Sequence, residues 1–253
     1  MHPIFRLIKN SAAIGLLTLA GTASAETLFG VYAGAGGWHQ DPDGHLTSNG
    51  TQVDTKEDMA LGDGNDNMFW LAFEHPIPFV PNVRVQQTAT DLQGRTELIR
   101  AVVLDGVNFA PPGIIESGFE FKVQDAILYY NVIDGETLSL DLGIAGRKID
   151  GSAFINSGVR FSEIEFDGTV PMLYARGEWK VLSGFWFGAG GQYIEYKGDS
   201  YIDVDGAFGW QSEWGVSAEI GYRYMRMKVE DLGDIDNARL MVDGPYAALN
   251  YKF

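Results

Sequence analysis

The sequence predicts an all-β protein: a closed, antiparallel up-and-down barrel of ten strands that crosses a membrane, with eight strands as the alternative. Three observations predict it. Hydrophobicity alternates with period two along most of the chain. Short and long connections alternate. Aromatic residues on the apolar strand faces gather at one end, where a spanning barrel meets the lipid–water boundary.

Taken in chain order, the first 25 residues stand apart. Arg6 and Lys9 precede an apolar run over 11–21, and Ala23-Ser24-Ala25 offers an A-x-A cleavage site. This is the pattern of a cleaved secretory signal peptide, too short in its apolar part to span a bilayer as a helix. Residues 26–253 then form one domain, with no linker to divide it. The chain carries a net charge of −16, and loss of Arg6 and Lys9 takes it to −18. So acidic a protein is a poor partner for nucleic acid. It has no cysteine, so the exported chain uses no disulfide.

Strands are expected near 28–39, 67–75, 83–91, 119–132, 137–149, 169–180, 184–197, 202–212, 215–228 and 242–253. The stretch "TLSLDLGIAGRK" shows the reason. Leu138, Leu140, Leu142 and Ile144 share one face, while Ser139, Asp141, Gly143 and Arg147 share the other. "GVSAEIGYRY" alternates likewise. The connections 76–82, 133–136, 181–183 and 213–214 are short, whereas 40–66, 92–118, 150–168 and 229–241 are long. Only the connection near Gly198 departs from this alternation. One end of the barrel is therefore trimmed and the other carries loops, matching short periplasmic turns and long external loops.

The apolar faces place Phe29, Phe73, Tyr130, Trp179, Phe185, Trp210 and Phe253 near the trimmed end, as a ring at one height. The chain finishes on "PYAALNYKF", with Leu249, Tyr251 and Phe253 on the apolar face. This resembles the C-terminal signal read by the barrel assembly machinery of bacterial outer membranes.

Further segments carry a family resemblance. The first strand ending in Gly36-Gly37-Trp38, "HPIPFVPNV", "DAILYYNVIDG", "LSLDLGIAGRKIDG", "GYRYMRMKVEDL" and "GPYAALNYKF" look like a family of Gram-negative outer-membrane barrels named for the Gly-Gly of its first strand. The resemblance covers most of residues 26–253. It implies the fold and a location in the outer membrane, among lipid and lipopolysaccharide. It carries over no substrate and no catalytic residue.

The polar faces decide what the barrel holds. Glu74, Arg84, Asp125, Asp141, Arg147, Arg176, Glu178, Glu219, Arg223 and Lys252 point into a narrow interior, where charges must pair or stay hydrated. They form either a plug of ion pairs or a constricted small-solute pore. Tyr32, Trp38 and Trp186 face the same way and fill space. Gly34, Gly36, Gly143, Gly188, Gly190, Gly209 and Gly221 leave room for these side chains. The "GAGG" stretch at 34–37 is no phosphate loop, because His39 stands where the third glycine belongs and no helix follows.

The first external loop is acidic, with Asp41, Asp43, Asp54, Glu57, Asp58, Asp63 and Asp66 against Lys56. "DGNDN" lacks the glycine and distal glutamate of an EF-hand, so solvation of a surface loop is favoured over a bridging divalent cation. His39, His45 and Ser48 lie near these acids, but no motif fixes a catalytic set. No metal, cofactor or enzymatic activity is expected. An external ligand captured by the acidic loops, as in an adhesin or receptor, is the alternative to a structural or pore role; an outer-face hydrolase ranks below both.

Overall fold

The computed structural model describes residues 29–48, 50–232 and 235–253. The signal-peptide segment over 1–25 lies outside the described residues. The strands are β1 (Gly30–Ser48), β2 (Thr51–Asp54), β3 (Gly64–Glu74), β4 (Asn82–Glu97), β5 (Val102–Leu104), β6 (Val107–Phe109) and β7 (Ile114–Asp134). They continue with β8 (Leu138–Asn156), β9 (Phe161–Leu182), β10 (Phe185–Tyr196), β11 (Asp199–Gln211), β12 (Val216–Leu232) and β13 (Ile235–Lys252). Ten of them, β1, β3, β4 and β7 to β13, pair antiparallel with their neighbours, and β13 returns to β1. The register runs from Tyr32 opposite Lys252 to Ser48 opposite Ile235. Closure leaves no sheet edge, so each backbone group can be satisfied inside the wall.

Two short strand sets lie off this ring. β2 folds back on the outer end of β1, and β5 pairs with β6 as a separate hairpin. Asp105 and Gly106 turn that hairpin with φ of 47° and 73°, the double left-handed geometry that an Asp-Gly pair accepts.

The exterior carries an apolar band. Outward side chains over 29–37, 171–179, 185–193, 202–210, 216–224 and 245–253 are apolar or small, with Tyr222 and Tyr193 near the outer boundary. About nine tilted residues are what a strand needs to cross a bilayer. Leu173, Ile220 and Leu249 are 64–65% exposed, a costly surface in water and an ordinary one in lipid. The aromatic ring expected at the turn end is present on the outer face. Phe29 stacks on Phe73 at 5.8 Å, Phe185 on Phe208 at 5.7 Å, and Tyr251 meets Phe253 edge-on at 4.7 Å.

The strands run well past this band, and here the structure corrects the expected loops. Much of 40–66, 92–118, 150–168 and 229–241 is strand. The reason is an inversion of sidedness without any change of strand parity. On β7, Leu128, Tyr130 and Val132 face out within the band, whereas Glu116, Glu120 and Lys122 face out beyond it. The same strand turns Asp125 inward at the junction and Phe121 and Phe119 inward above it. β9 repeats the switch, from outward Leu173 and Trp179 to outward Asp167, Glu165 and Glu163. β12 changes its inner face from Glu219 and Arg223 to Met225 and Val229. One continuous sheet thus builds a lipid-facing barrel below and a water-facing barrel with an apolar core above.

The top of that core comes from the loops. Val53, Met59, Leu61, Leu98, Val102, Leu104 and Phe109 are all buried and pack with Leu92, Ile115, Phe119 and Ile155. Gly94 lets residues 59–61 lie directly on β4, since a Cβ there would meet the carbonyl oxygens of Met59 and Ala60 at 2.2 and 2.5 Å. Ser117 donates from its hydroxyl to the Met59 carbonyl, and Ser162 holds the β5–β6 hairpin through the Leu104 carbonyl at 2.9 Å. Arg100 reaches both the Gln52 carbonyl, at 3.1 Å, and Asp58. The first external loop is therefore a lid as much as an acidic surface.

Candidate functional site

The candidate site is the lumen where the two halves meet. Its lower wall comes from the polar faces of the strands within the apolar band, and its ceiling is a belt of four charged residues. Asp125 and Arg147 face each other in register across β7 and β8. Arg147 donates Nε and Nη2 to Asp125, both at 2.7 Å, and its Nη2 also lies 2.7 Å from Asp203 on β11. Arg223 on β12 donates Nε and Nη2 to Asp203 at 2.8 and 2.7 Å. Its Nη1 crosses the lumen to the Thr88 hydroxyl of β4 at 2.9 Å. Gln86 and Gln192 donate to Asp125 at 2.7 and 2.9 Å.

Two aromatic faces complete the belt: the Arg223 guanidinium lies 4.8 Å from the Trp38 ring, and that of Arg147 lies 4.7 Å from Tyr201. Trp38 is held by its indole N–H on the Gly244 carbonyl at 3.2 Å. Arg147 is 0% exposed, and Asp125, Asp203 and Arg223 are also buried. The bidentate geometry and the Asp203 carboxylate shared by both arginines are what make such burial of charge tolerable.

Below the belt lies a blind vestibule of about 350 Å³, open at the turn end. Arg176 pairs with Asp205 at 3.3 Å, and Asp205 also accepts from the Tyr246 hydroxyl at 3.2 Å. Glu74 accepts from Tyr129 at 2.8 Å, Asp141 from Asn131 at 2.8 Å, and Glu219 from Asn250 at 3.3 Å. Arg84 stacks 4.3 Å over Trp70 and donates to Gln86 at 3.2 Å. Glu178 and Lys252 line the same space, with the Lys252 ammonium 5.2 Å from the Tyr32 ring at the mouth. The glycines leave room as the sequence suggests. A Cβ on Gly209 would meet the Trp186 ring at 2.3 Å, and one on Gly34 would meet Trp70 at 2.3 Å.

The lumen charges named from the sequence therefore divide. Asp125, Arg147 and Arg223 join in the belt, Arg176 pairs within the vestibule, and Glu74, Arg84, Asp141, Glu178, Glu219 and Lys252 line its wall. The expected partners differ. Among the described residues, Asp125 is the only one of the five named acids within ion-pair distance of an arginine. The main carboxylates of the network, Asp203 and Asp205, were not named. They occupy the polar face of "YIDVDGAFGW", on alternate positions with Tyr201 and Ala207, so the period-two pattern itself carried the signal.

The remaining candidates sit at the two rims. His39 meets Asn65 at 3.1 Å, with Asp63 at 3.8 Å, and "DGNDN" opens β3. Lys56 pairs with Asp41 at 2.7 Å, and the carboxylate that accepts its hydrogen bond raises the Lys56 pKa. His75 pins the first short turn, accepting from the Ile77 N–H at 3.2 Å. Leu249, Tyr251 and Phe253 all lie exposed on the outer face.

No family model matches the chain, and no curated protein matches it either. The family expected from the Gly-Gly strand is thus not identified. Solved structures of similar shape include Ail, the attachment invasion locus protein of Yersinia pestis, at 12% identity and a TM-score of 0.37, covering 88% of this chain and 99% of that one. Neisserial surface protein A aligns at 12% identity and a TM-score of 0.34, covering 89% and 97%. The transport unit of the autotransporter AIDA-I from Escherichia coli aligns at 8% identity and a TM-score of 0.42, covering 93% of each chain. These likenesses extend no further than general shape. What the geometry establishes by itself is a closed ten-stranded barrel of the outer-membrane kind.

Proposed function

We propose that this chain is an integral outer-membrane protein with a sealed, non-catalytic barrel, acting as a structural element and through the surface it projects outward. The observation that carries this reading is the belt of Asp125, Arg147, Asp203 and Arg223 lying beneath an apolar core. A small-solute pore needs a continuous wet path, whereas here Arg147 and Trp38, at the belt, are 0% and 1% exposed. Residence in the membrane is supported by the nine-residue apolar band and the turn-end aromatics. Recognition by the barrel assembly machinery is supported by the exposed Leu249, Tyr251 and Phe253. The test is conductance of the refolded full chain in planar lipid bilayers. A silent barrel is expected; stepwise openings of the unmodified protein overturn the sealed reading.

An adhesin or receptor role is favoured by one observation of its own. The outer extension is a charged wall, with Asp91 exposed on β4, Glu116 and Glu120 on the neighbouring β7, and Glu163 and Glu165 on β9, beyond β8. Loop trimming is the wrong test, because Val53, Met59 and Leu61 belong to the core. Charge reversal of Glu120, Glu163 and Glu165 on whole cells should abolish partner binding while leaving heat-stable barrel mobility intact.

A further inference from the structure

We propose that the blind vestibule is a binding site for small linear organic cations, diammonium or triammonium chains entering from the periplasmic side. The inference deepens the sealed reading, since it takes the belt as the closed end of the site.

Charge is the first reason. Seven carboxylates and five basic groups line the cavity. Two of the bases are paired, Arg223 with Asp203 and Arg176 with Asp205; Arg84 and Lys252 lie on the faces of Trp70 and Tyr32, and Lys180 lines the cavity as well. Glu74, Asp141, Glu178 and Glu219 have no cationic partner within 4.0 Å among the described residues, and three of them accept only neutral donors. The seven acids outnumber the five bases, so the lining keeps an excess of negative charge.

An unused acceptor is the second, independent reason. Gln192 lines the blind end and is 4% exposed. Its amide nitrogen is fixed on Asp125 at 2.9 Å, which fixes where the other end of the carboxamide points. Among the described residues, the Gln192 Oε1 atom has no hydrogen-bond partner. A buried carbonyl oxygen left so is costly until a donor reaches it. An ammonium group entering the vestibule supplies that donor, and an anion does not.

Shape is the third. The cavity of about 350 Å³ falls in the range of small-ligand sites. Glu178 lies opposite Gly188, four residues along β10 from Gln192, a rise of about 13 Å at the usual strand spacing. The acceptor at the blind end and the free carboxylate nearer the mouth are thus separated by the length of an extended polyamine. Tyr174 and Trp186 flank the path and suit its methylene segments and its charge.

The test uses the refolded full chain in detergent at low ionic strength, titrated with spermidine by calorimetry. One-to-one saturable binding is expected, with no binding of the dianion glutarate. Glu178→Gln and Gln192→Leu should each weaken spermidine at least tenfold, with far-ultraviolet circular dichroism and gel mobility unchanged. Gln192→Leu touches the belt, so Glu178→Gln, on the wall of the wet cavity, keeps the test decisive if the former does not refold. Binding unaffected by Glu178→Gln, equal binding of glutarate, or no saturation overturns the proposal. Conductance separates the two readings. A silent barrel that ignores spermidine overturns this site alone, whereas a conducting barrel that binds it with the expected variant losses supports the site and overturns the seal.

Discussion

Replacing Asp203 by asparagine removes the charge that two buried arginines share. Asp203 accepts three charged hydrogen bonds at 2.7–2.8 Å, and its side chain is 6% exposed against 0% and 9% for Arg147 and Arg223. After Asp203→Asn, Arg147 keeps both bonds to Asp125, but Arg223 loses its carboxylate partner and keeps only neutral contacts: the one amide oxygen left at position 203, the Thr88 hydroxyl, the Met68 sulfur and the face of Trp38. Breaking a buried pair from one side costs about 3–5 kcal/mol. Arg223 borders the wet vestibule, so the lower end, about 3 kcal/mol, is expected. With a urea dependence of about 3 kcal/mol per molar, the unfolding midpoint falls by roughly 1 M.

The assay is equilibrium urea unfolding of the refolded barrel, followed by tryptophan fluorescence and gel mobility. Asp203→Asn combined with Arg223→Met removes the stranded cation and should recover about 2 kcal/mol as a coupling energy. A loss below about 1 kcal/mol for Asp203→Asn, the range of an exposed pair, would refute the reasoning. So would a double variant whose loss equals the sum of its singles.

Three further outcomes follow from other parts of the barrel. Gly143→Ala should cost about 1–3 kcal/mol in the same unfolding assay, because its Cβ would meet the Leu128 carbonyl oxygen at 2.2 Å, whereas Gly37→Ala, with nothing within 4 Å, should be neutral or slightly stabilising. Met59→Ala should cost about 2–5 kcal/mol and speed proteolysis of the outer lid, since Met59 is 1% exposed in the apolar cluster that also holds Leu104 and Phe109; retention of full protease resistance would argue that the lid is held elsewhere. Lys56→Gln should change stability by less than about 0.5 kcal/mol at neutral pH. The folded Lys56 pKa is raised by Asp41, so its small contribution is complete below the unfolded value of 10.5 and fades as the lysine deprotonates above it; a difference that grows on acidification would contradict that sign.

The ten membrane-band strands were legible because period two and a single apolar face coincide there, as in Leu138 to Ile144 of β8. Their outer continuations were not, for a physical reason. Past Asp125 and Arg223 the apolar residues move to the inner face, so a reading that follows one hydrophobic face stops at the lipid boundary and mistakes the rest for loop. The strand parity is kept, and 119–123 and 225–229 show the exchange once two solvents are allowed for. The β5–β6 hairpin has an Asp-Gly turn between Val102–Leu104 and Val107–Phe109, strands too short to stand out inside a long connection. Of the site, the inward charges were legible as a set. Their partners were not, because Arg147 and Arg223 reach across the lumen to strands that are not their neighbours. Sequence register shows which residues share a face but not which of them meet across the barrel.

The most direct test of one sheet serving two solvents is a single-cysteine scan along the outer face of β7, which the absence of native cysteine makes clean. Leu128→Cys and Tyr130→Cys, in the refolded barrel inserted into lipid vesicles, should resist a membrane-impermeant maleimide. Glu120→Cys and Lys122→Cys should react fully from the loop side, and inward Phe121→Cys should stay protected. Labelling of position 128 as fast as position 122, or protection of both 120 and 122, would contradict the inversion.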